Sequence, residues 1–170
     1  NWDFEGDFDA LRHRARPVYF VPDDTLCPLE HCRTLRIVGE QDLFGGVVPF
    51  AFVATKVITH GLLRAGSVAP EGWSQDFGST VQRVVLPGFS AFSRDDLRAA
   101  GERLLRQGSV RAKDPRGIGG LGQLVITDGA QLDAWIRSLD PSVLALAGMV
   151  LERNLQQVAT LSVGQVRVGG

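Results

Sequence analysis

Lys113-Asp114-Pro115-Arg116-Gly117-Ile118-Gly119-Gly120-Leu121-Gly122-Gln123 decides how this chain is read. The residues before it, Ser109-Val110-Arg111-Ala112-Lys113, alternate as a strand does, with Val110 and Ala112 facing one way and Arg111 and Lys113 the other. The strand ends on a lysine and runs into four glycines within six positions, 117–122. Repeated glycines let a backbone approach an anion and turn its N–H donors towards it, and a nearby ammonium supplies a compact charge. The combination is suited to holding phosphate.

The residues after the glycines separate the kinds of phosphate binder. Gly117-x-Gly119-x-x-Gly122 fits the spacing of a dinucleotide fingerprint, but that fingerprint must open a helix whose N-terminus receives the pyrophosphate. Gln123-Leu124-Val125-Ile126-Thr127 is instead short and β-branched and is bounded by Asp128-Gly129, which predicts a strand and a turn. A Walker loop needs its lysine after the glycines, with Ser or Thr next, and this loop ends Gly122-Gln123. The expected geometry is strand, glycine loop, antiparallel strand, a hairpin lying over a nucleotide as a mobile lid. An ordinary glycine-rich hairpin is the alternative reading of the loop alone.

Outward from the hairpin, periodicity places the other elements. Ser93-Arg94-Asp95-Asp96 resembles a helix start, and Leu97, Ala100, Gly101, Leu104 and Leu105 form a buried stripe before Gly108. Leu132, Trp135, Ile136 and Leu139 predict a second amphipathic helix. Strands are expected over Val81 to Leu86, ending at Pro87-Gly88, over Met149 to Glu152, and over Thr160 to Val168. The order from residue 81 is β-α-β-β-α-β-β, an α+β arrangement with an antiparallel sheet and helices on one face. Upstream, from Phe52 to Ala65, Val53, Val57, Ile58, Leu62 and Ala65 have helical spacing, which puts Lys56 and His60 together on the opposite face. Val18 to Val21 reads as a strand and Leu26 to Ile37 as a helix-bearing segment restricted by Pro28. Asp42 to Pro49 reads as loop and short strand, and the expected domain boundary falls there: residues 1–50, then 51–170.

Composition sets the limits. With 170 residues and 44% hydrophobic content the chain can bury a core without metal or disulfide. Its 18 Lys and Arg against 19 Asp and Glu leave no footprint for nucleic acid or an anionic membrane, and no apolar run approaches a membrane span, so a cytoplasmic protein is expected. Cys27, His31 and Cys32 are close in sequence, but a closed zinc site needs four ligands and His13 and His60 carry no matching spacing. The two cysteines therefore read as thiols in a reducing compartment. The acidic opening without methionine and the strand-like ending suggest a piece of a longer protein, a processed tail being the alternative.

Taken in order, these residues resemble the ATP-grasp superfamily, and within it a bacterial biotin-carboxylase-like group. The likeness covers about the last two-thirds of the chain: Thr55-Lys56, Pro87-Gly88, Lys113, the glycine loop, Val150-Leu151-Glu152, and Thr160-Leu161-Ser162-Val163-Gly164. It implies that residues 1–50 belong to a pre-ATP-grasp lobe and 51–170 to the lid subdomain, with the C-terminal catalytic subdomain beyond this chain. Lys56 matches the family's first ATP lysine and Lys113 its second. Gly117, Gly119, Gly120 and Gly122 would offer N–H groups to phosphate. Glu152, Arg153 and Leu155 match the segment that meets adenine through backbone groups and apolar contacts. Leu121, often basic in biotin carboxylases, and Asp114, which separates Lys113 from Pro115, depart from that group's pattern.

The resemblance implies ATP as cofactor together with magnesium whose ligands lie outside this chain. The parent is expected to be an ATP-dependent ligase that activates a carboxylate as an acyl phosphate, and this segment alone to be inactive. Expected partners are a nucleotide and the parent's carboxylate substrate, with a homo-oligomer allowed. A non-catalytic nucleotide-binding or assembly module is the alternative from another class, and a dinucleotide-dependent oxidoreductase is a third.

Overall fold

The computed structural model describes residues 18–159, 161 and 163–166, which include two compact units, residues 18–51 and Phe52–Ala159. In the first unit Phe20, Leu26 and Leu43 form a small core beside Val18, Cys32, Leu35, Ile37 and Val47. The strand expected over Val18 to Val21 is reduced to a parallel bridge, Phe20 with Leu43, and a second bridge joins Leu26 to Val47. With single bridges the segments share too few hydrogen bonds to continue a ladder. The expected helix is confined to α1, Glu30–Leu35, and stops where Arg36 takes a left-handed conformation, φ 58°.

The second unit is a mixed α+β fold. Its strands are β1 (Gly88–Ala91), β2 (Val110–Lys113), β3 (Gln123–Ile126) and β4 (Met149–Arg153), all paired antiparallel in the order β1-β4-β2-β3. Its α-helices are α2 (Asp76–Val81), α3 (Arg94–Leu105), α4 (Gly129–Ser138) and α5 (Pro141–Ala147). The antiparallel register puts Phe89, Ala91, Val110, Ala112, Leu124, Ile126, Met149 and Leu151 on one face of the sheet. Ala91, Val110, Ala112, Ile126 and Leu151 are buried there with Leu97, Ala100 and Leu104 of α3, Leu132 and Ile136 of α4, and Leu144 of α5.

Capping explains where the helices begin. Ser93 accepts at its hydroxyl from Asp96 N–H, Asp128 from Gln131 N–H, and Asp140 from the N–H groups of Ser142 and Val143 with Pro141 in the first turn. The α5 helix has only a weak apolar stripe, because Val143 and Leu146 are exposed.

Three further expectations are corrected. The helix expected from Phe52 to Ala65 is two short 3-10 turns, Ala51–Ala54 and Lys56–Thr59, separated at Thr55, whose extended backbone lets its hydroxyl accept from Val57 N–H. Val53, Val57, Ile58 and Thr59 are β-branched and disfavour helix, and beyond them Gly61 O accepts from Ser90 N–H at 3.0 Å along the edge of β1. The strand expected over Val81 to Leu86 begins only at Gly88: β4 ends at Arg153, whose N–H donates to Pro87 O at 2.9 Å, Val81 ends α2 and residues 82–84 form a turn. Of the strand expected over Thr160 to Val168, residues 161 and 163–166 carry no strand, and Thr160, Ser162, Arg167 and Val168 lie outside the described residues. No helix among the described residues is long and apolar enough to cross a membrane.

Candidate functional site

The same register that sends β2's valine and alanine to the core places Arg111 and Lys113 on the other face of the sheet, with Ser90, Gln123, Val125, Val150 and Glu152. Lys113 Nζ lies 2.5 Å from Glu152 Oε1; their side chains are 23% and 7% exposed. Arg111, opposite Glu152, donates from Nε and Nη2 to Asn154 Oδ1 at 3.0 and 2.7 Å and from Nη1 to Gln123 Oε1 at 2.8 Å. Both cations are thus held by partners on, or one residue beyond, neighbouring strands.

The loop after Lys113 is closed at its base, where Asp114 N–H donates to Gly122 O at 2.8 Å. Asp114, a departure from the resembling pattern, shapes the loop locally, since its Oδ1 accepts from Arg116 N–H at 2.8 Å and its carbonyl from Gly117 N–H at 3.1 Å. The glycines are required by geometry. A Cβ at Gly117 would stand 2.2 Å from Leu121 O, and Gly119, Gly120 and Gly122 have φ of 61°, 87° and 68°. Gly119 and Gly120 are exposed, and among the described residues their N–H groups have no acceptor.

Lys56 reaches this loop from the 3-10 turn: its Nζ donates to Gly117 O and its backbone N–H to Pro115 O at 3.4 Å. The structure therefore brings Lys56, Lys113 and the glycines to the base of one loop, and joins Glu152 to Lys113. Arg153, one residue on, alternates to the other side of β4, and Leu155 lies past the strand, 39% exposed.

His60 completes the arrangement. It is buried, its Nε2 is 3.0 Å from Leu86 O and 3.9 Å from Glu152 Oε2, and its Nδ1 is 2.9 Å from Thr59 Oγ1. Room for the ring comes from Gly88, where a Cβ would lie 2.8 Å from His60 Cδ2 and 2.5 Å from Leu151 O. Burial lowers the pKa of His60 below its ordinary value, and Lys113 adds to this, against the opposing pull of Leu86 O and Glu152. The ring also lines an open cleft of about 410 Å³ with Thr59, Gly78, Gln82, Leu86 and Gly88.

A family model matches residues 1–170, the whole length. The chain belongs to the family described as protein of unknown function (DUF3182). No curated protein and no solved structure matches it. For this member of the DUF3182 family, sequence reasoning named the two lysines, the loop and Glu152 as candidates but did not anticipate the pairing of Glu152 with Lys113 or the contacts of Arg111, Asn154 and His60. Alternation in β2 already put Arg111 beside Lys113. Nothing local in the sequence signals that Glu152, on a strand 39 positions later, closes on Lys113. Among the described residues there is no group of three or more His, Cys, Asp or Glu side chains able to hold a metal ion.

Proposed function

We propose that this chain binds ATP, with Lys56, Lys113 and the loop of Gly117, Gly119, Gly120 and Gly122 set around its phosphates, the exposed N–H groups of Gly119 and Gly120 serving as donors. The observation that carries the reading is the Lys56 contact with Gly117 O across 61 residues of sequence, which adds a second ammonium to a glycine loop that already has a lysine before it. Two cations and a row of donors on one loop suit a polyphosphate, whose charge is spread over several oxygens. Glu152, Arg153 and Leu155 are proposed to meet the base. Magnesium would neutralise phosphate charge when bound, and its ligands are proposed to come from outside the described residues.

The protein is further proposed to be an ATP-grasp ligase that activates a carboxylate as an acyl phosphate, with these residues orienting the nucleotide. Titration calorimetry with ATP tests the binding reading. Saturable binding that weakens about tenfold or more in both Lys56→Met and Lys113→Met is expected, since a charged hydrogen bond contributes about 1.5–3 kcal/mol. Equal affinity in wild type and both variants, or no binding at millimolar ATP, would overturn it.

A further inference from the structure

The polar contacts around His60 contain one proton too few when the ring is neutral. Thr59 has a single hydroxyl proton, yet its Oγ1 lies 2.7 Å from Lys56 O and 2.9 Å from His60 Nδ1. If that proton goes to His60 Nδ1, then Lys56 O and Thr59 Oγ1 meet as two acceptors. If Nδ1 carries the ring proton instead, the bare Nε2 faces Leu86 O at 3.0 Å with Glu152 Oε2 3.9 Å away. Only the doubly protonated ring satisfies every contact at once: Nε2–H to Leu86 O, Nδ1–H to Thr59 Oγ1, and the hydroxyl to Lys56 O. The imidazolium would then stand beside the carboxylate that holds Lys113.

We infer that His60 is a positioning residue whose protonation draws Glu152 away from Lys113 and so couples the availability of that lysine to pH. This deepens the proposed function and rests on it for the consequence at the phosphates. The charged groups acting on the ring are Glu152 from β4 and Lys113 from β2. Among the other elements around it, β1 contributes Gly88, and α2, packed close at Gly78, has Asp76 as its sole ionisable residue. The cleft beside the ring gives solvent protons a way in. Burial opposes protonation, so the switch operates on the acid side of neutrality and not at high pH. By linkage, phosphate that takes Lys113 from Glu152 makes His60 easier to protonate, and acid makes the phosphate bind more tightly.

Two measurements on the whole chain decide this. In the first, histidine titrations are monitored by NMR without nucleotide in wild type, Lys113→Met and Glu152→Gln, with His60→Gln assigning the resonance. Lys113→Met removes a repelling charge and frees the carboxylate, so His60 should titrate at higher pH; Glu152→Gln should move it lower. Titration unmoved in both variants would overturn the coupling. In the second, ATP affinity is measured from about pH 7.5 to about pH 5.5, across the range where histidine titrates. Wild type should gain about fivefold or more over His60→Gln, whose amide cannot take up the proton and which corrects for titration of ATP itself. Parallel profiles in the two proteins would overturn the link to phosphate. A chain that binds no ATP at any pH overturns the proposed function, while the nucleotide-free titrations still decide whether His60 is coupled to the pair.

Discussion

The two faces of the four-stranded sheet are built from alternate residues of the same strands and answer to different physics. Under α3, α4 and α5 the face is apolar, with Val110, Ala112, Ile126 and Leu151 at most 1% exposed. On the reverse, Lys113 and Arg111 are held by Glu152, Asn154 and Gln123, and His60 packs on Gly88. The first face stabilises through area removed from water, without regard to direction. The second depends on partners at fixed angles and distances, because a buried polar group that loses its partner is left with the cost of desolvation. The apolar face supplies the rigidity that keeps the polar face in register.

The comparison is tested most strongly at its apolar extreme. Leu151→Ala should lower stability by about 2–5 kcal/mol in urea denaturation, whereas Val125→Ala on the reverse, 39% exposed, should stay near the surface range of about 0.5 kcal/mol. Equal costs would mean that the two faces are not distinct.

Lys113→Ala comes next and sharpens the contrast. If Lys113 served only a ligand, the fold would miss it little. Its pairing with the buried Glu152 changes the expectation: about 1–3 kcal/mol of stability should be lost, less than for a wholly buried pair because the lysine keeps 23% of its side-chain surface in water. The double variant Lys113→Met with Glu152→Gln should regain most of the loss, since neither charge is then stranded. A double variant no more stable than Lys113→Ala would show that the pair is not what the fold misses.

Gly88→Ala should cost about 1–3 kcal/mol, because the added methyl meets Leu151 O and the His60 ring with no flexible neighbour to yield. Its distinctive sign would be a shifted His60 resonance, and an unchanged resonance would separate the glycine from the histidine.

The smallest effect is the pH dependence of folding. His60, held below its ordinary 6.5 chiefly by burial, takes up its proton less readily in the fold than in the unfolded chain, so stability should fall as pH drops through about 6.5. For Asp96, burial pushes the carboxyl up, but Ser93, Ser67, Val68 N–H and Arg64 outweigh it and hold the pKa below 3.8. Its contribution is present above that value and lost as pH falls further. His60→Gln should flatten the first slope and leave the second, as read by denaturation at a series of pH values.

The elements with local signatures were legible from the chain alone. Alternation marked β2, β-branching ahead of Asp128-Gly129 marked β3, the Ser93 start marked α3 and the stripe of Leu132, Trp135, Ile136 and Leu139 marked α4, because each depends on residues within a few turns or one pleat. The family resemblance rested on the order of such marks, and its ATP reading continues here as a proposal. The 3-10 turns at Ala51–Thr59 were not legible, since helical spacing of apolar residues cannot show that Gly61 will pair with Ser90.

Local chemistry along the chain dictates that Arg111 and Lys113 share a face, that the glycine loop opens between two antiparallel strands, and that a mixed α+β core forms. Which groups those cations meet is a matter of the folded whole. Glu152 closes on Lys113, Asn154 on Arg111, Lys56 on Gly117, and His60 fits against Gly88, each through contacts between segments far apart in the chain. Strand alternation comes from the stereochemistry of each residue, whereas a long-range partner comes from strand order and register, which depend on the packing of the whole unit at once.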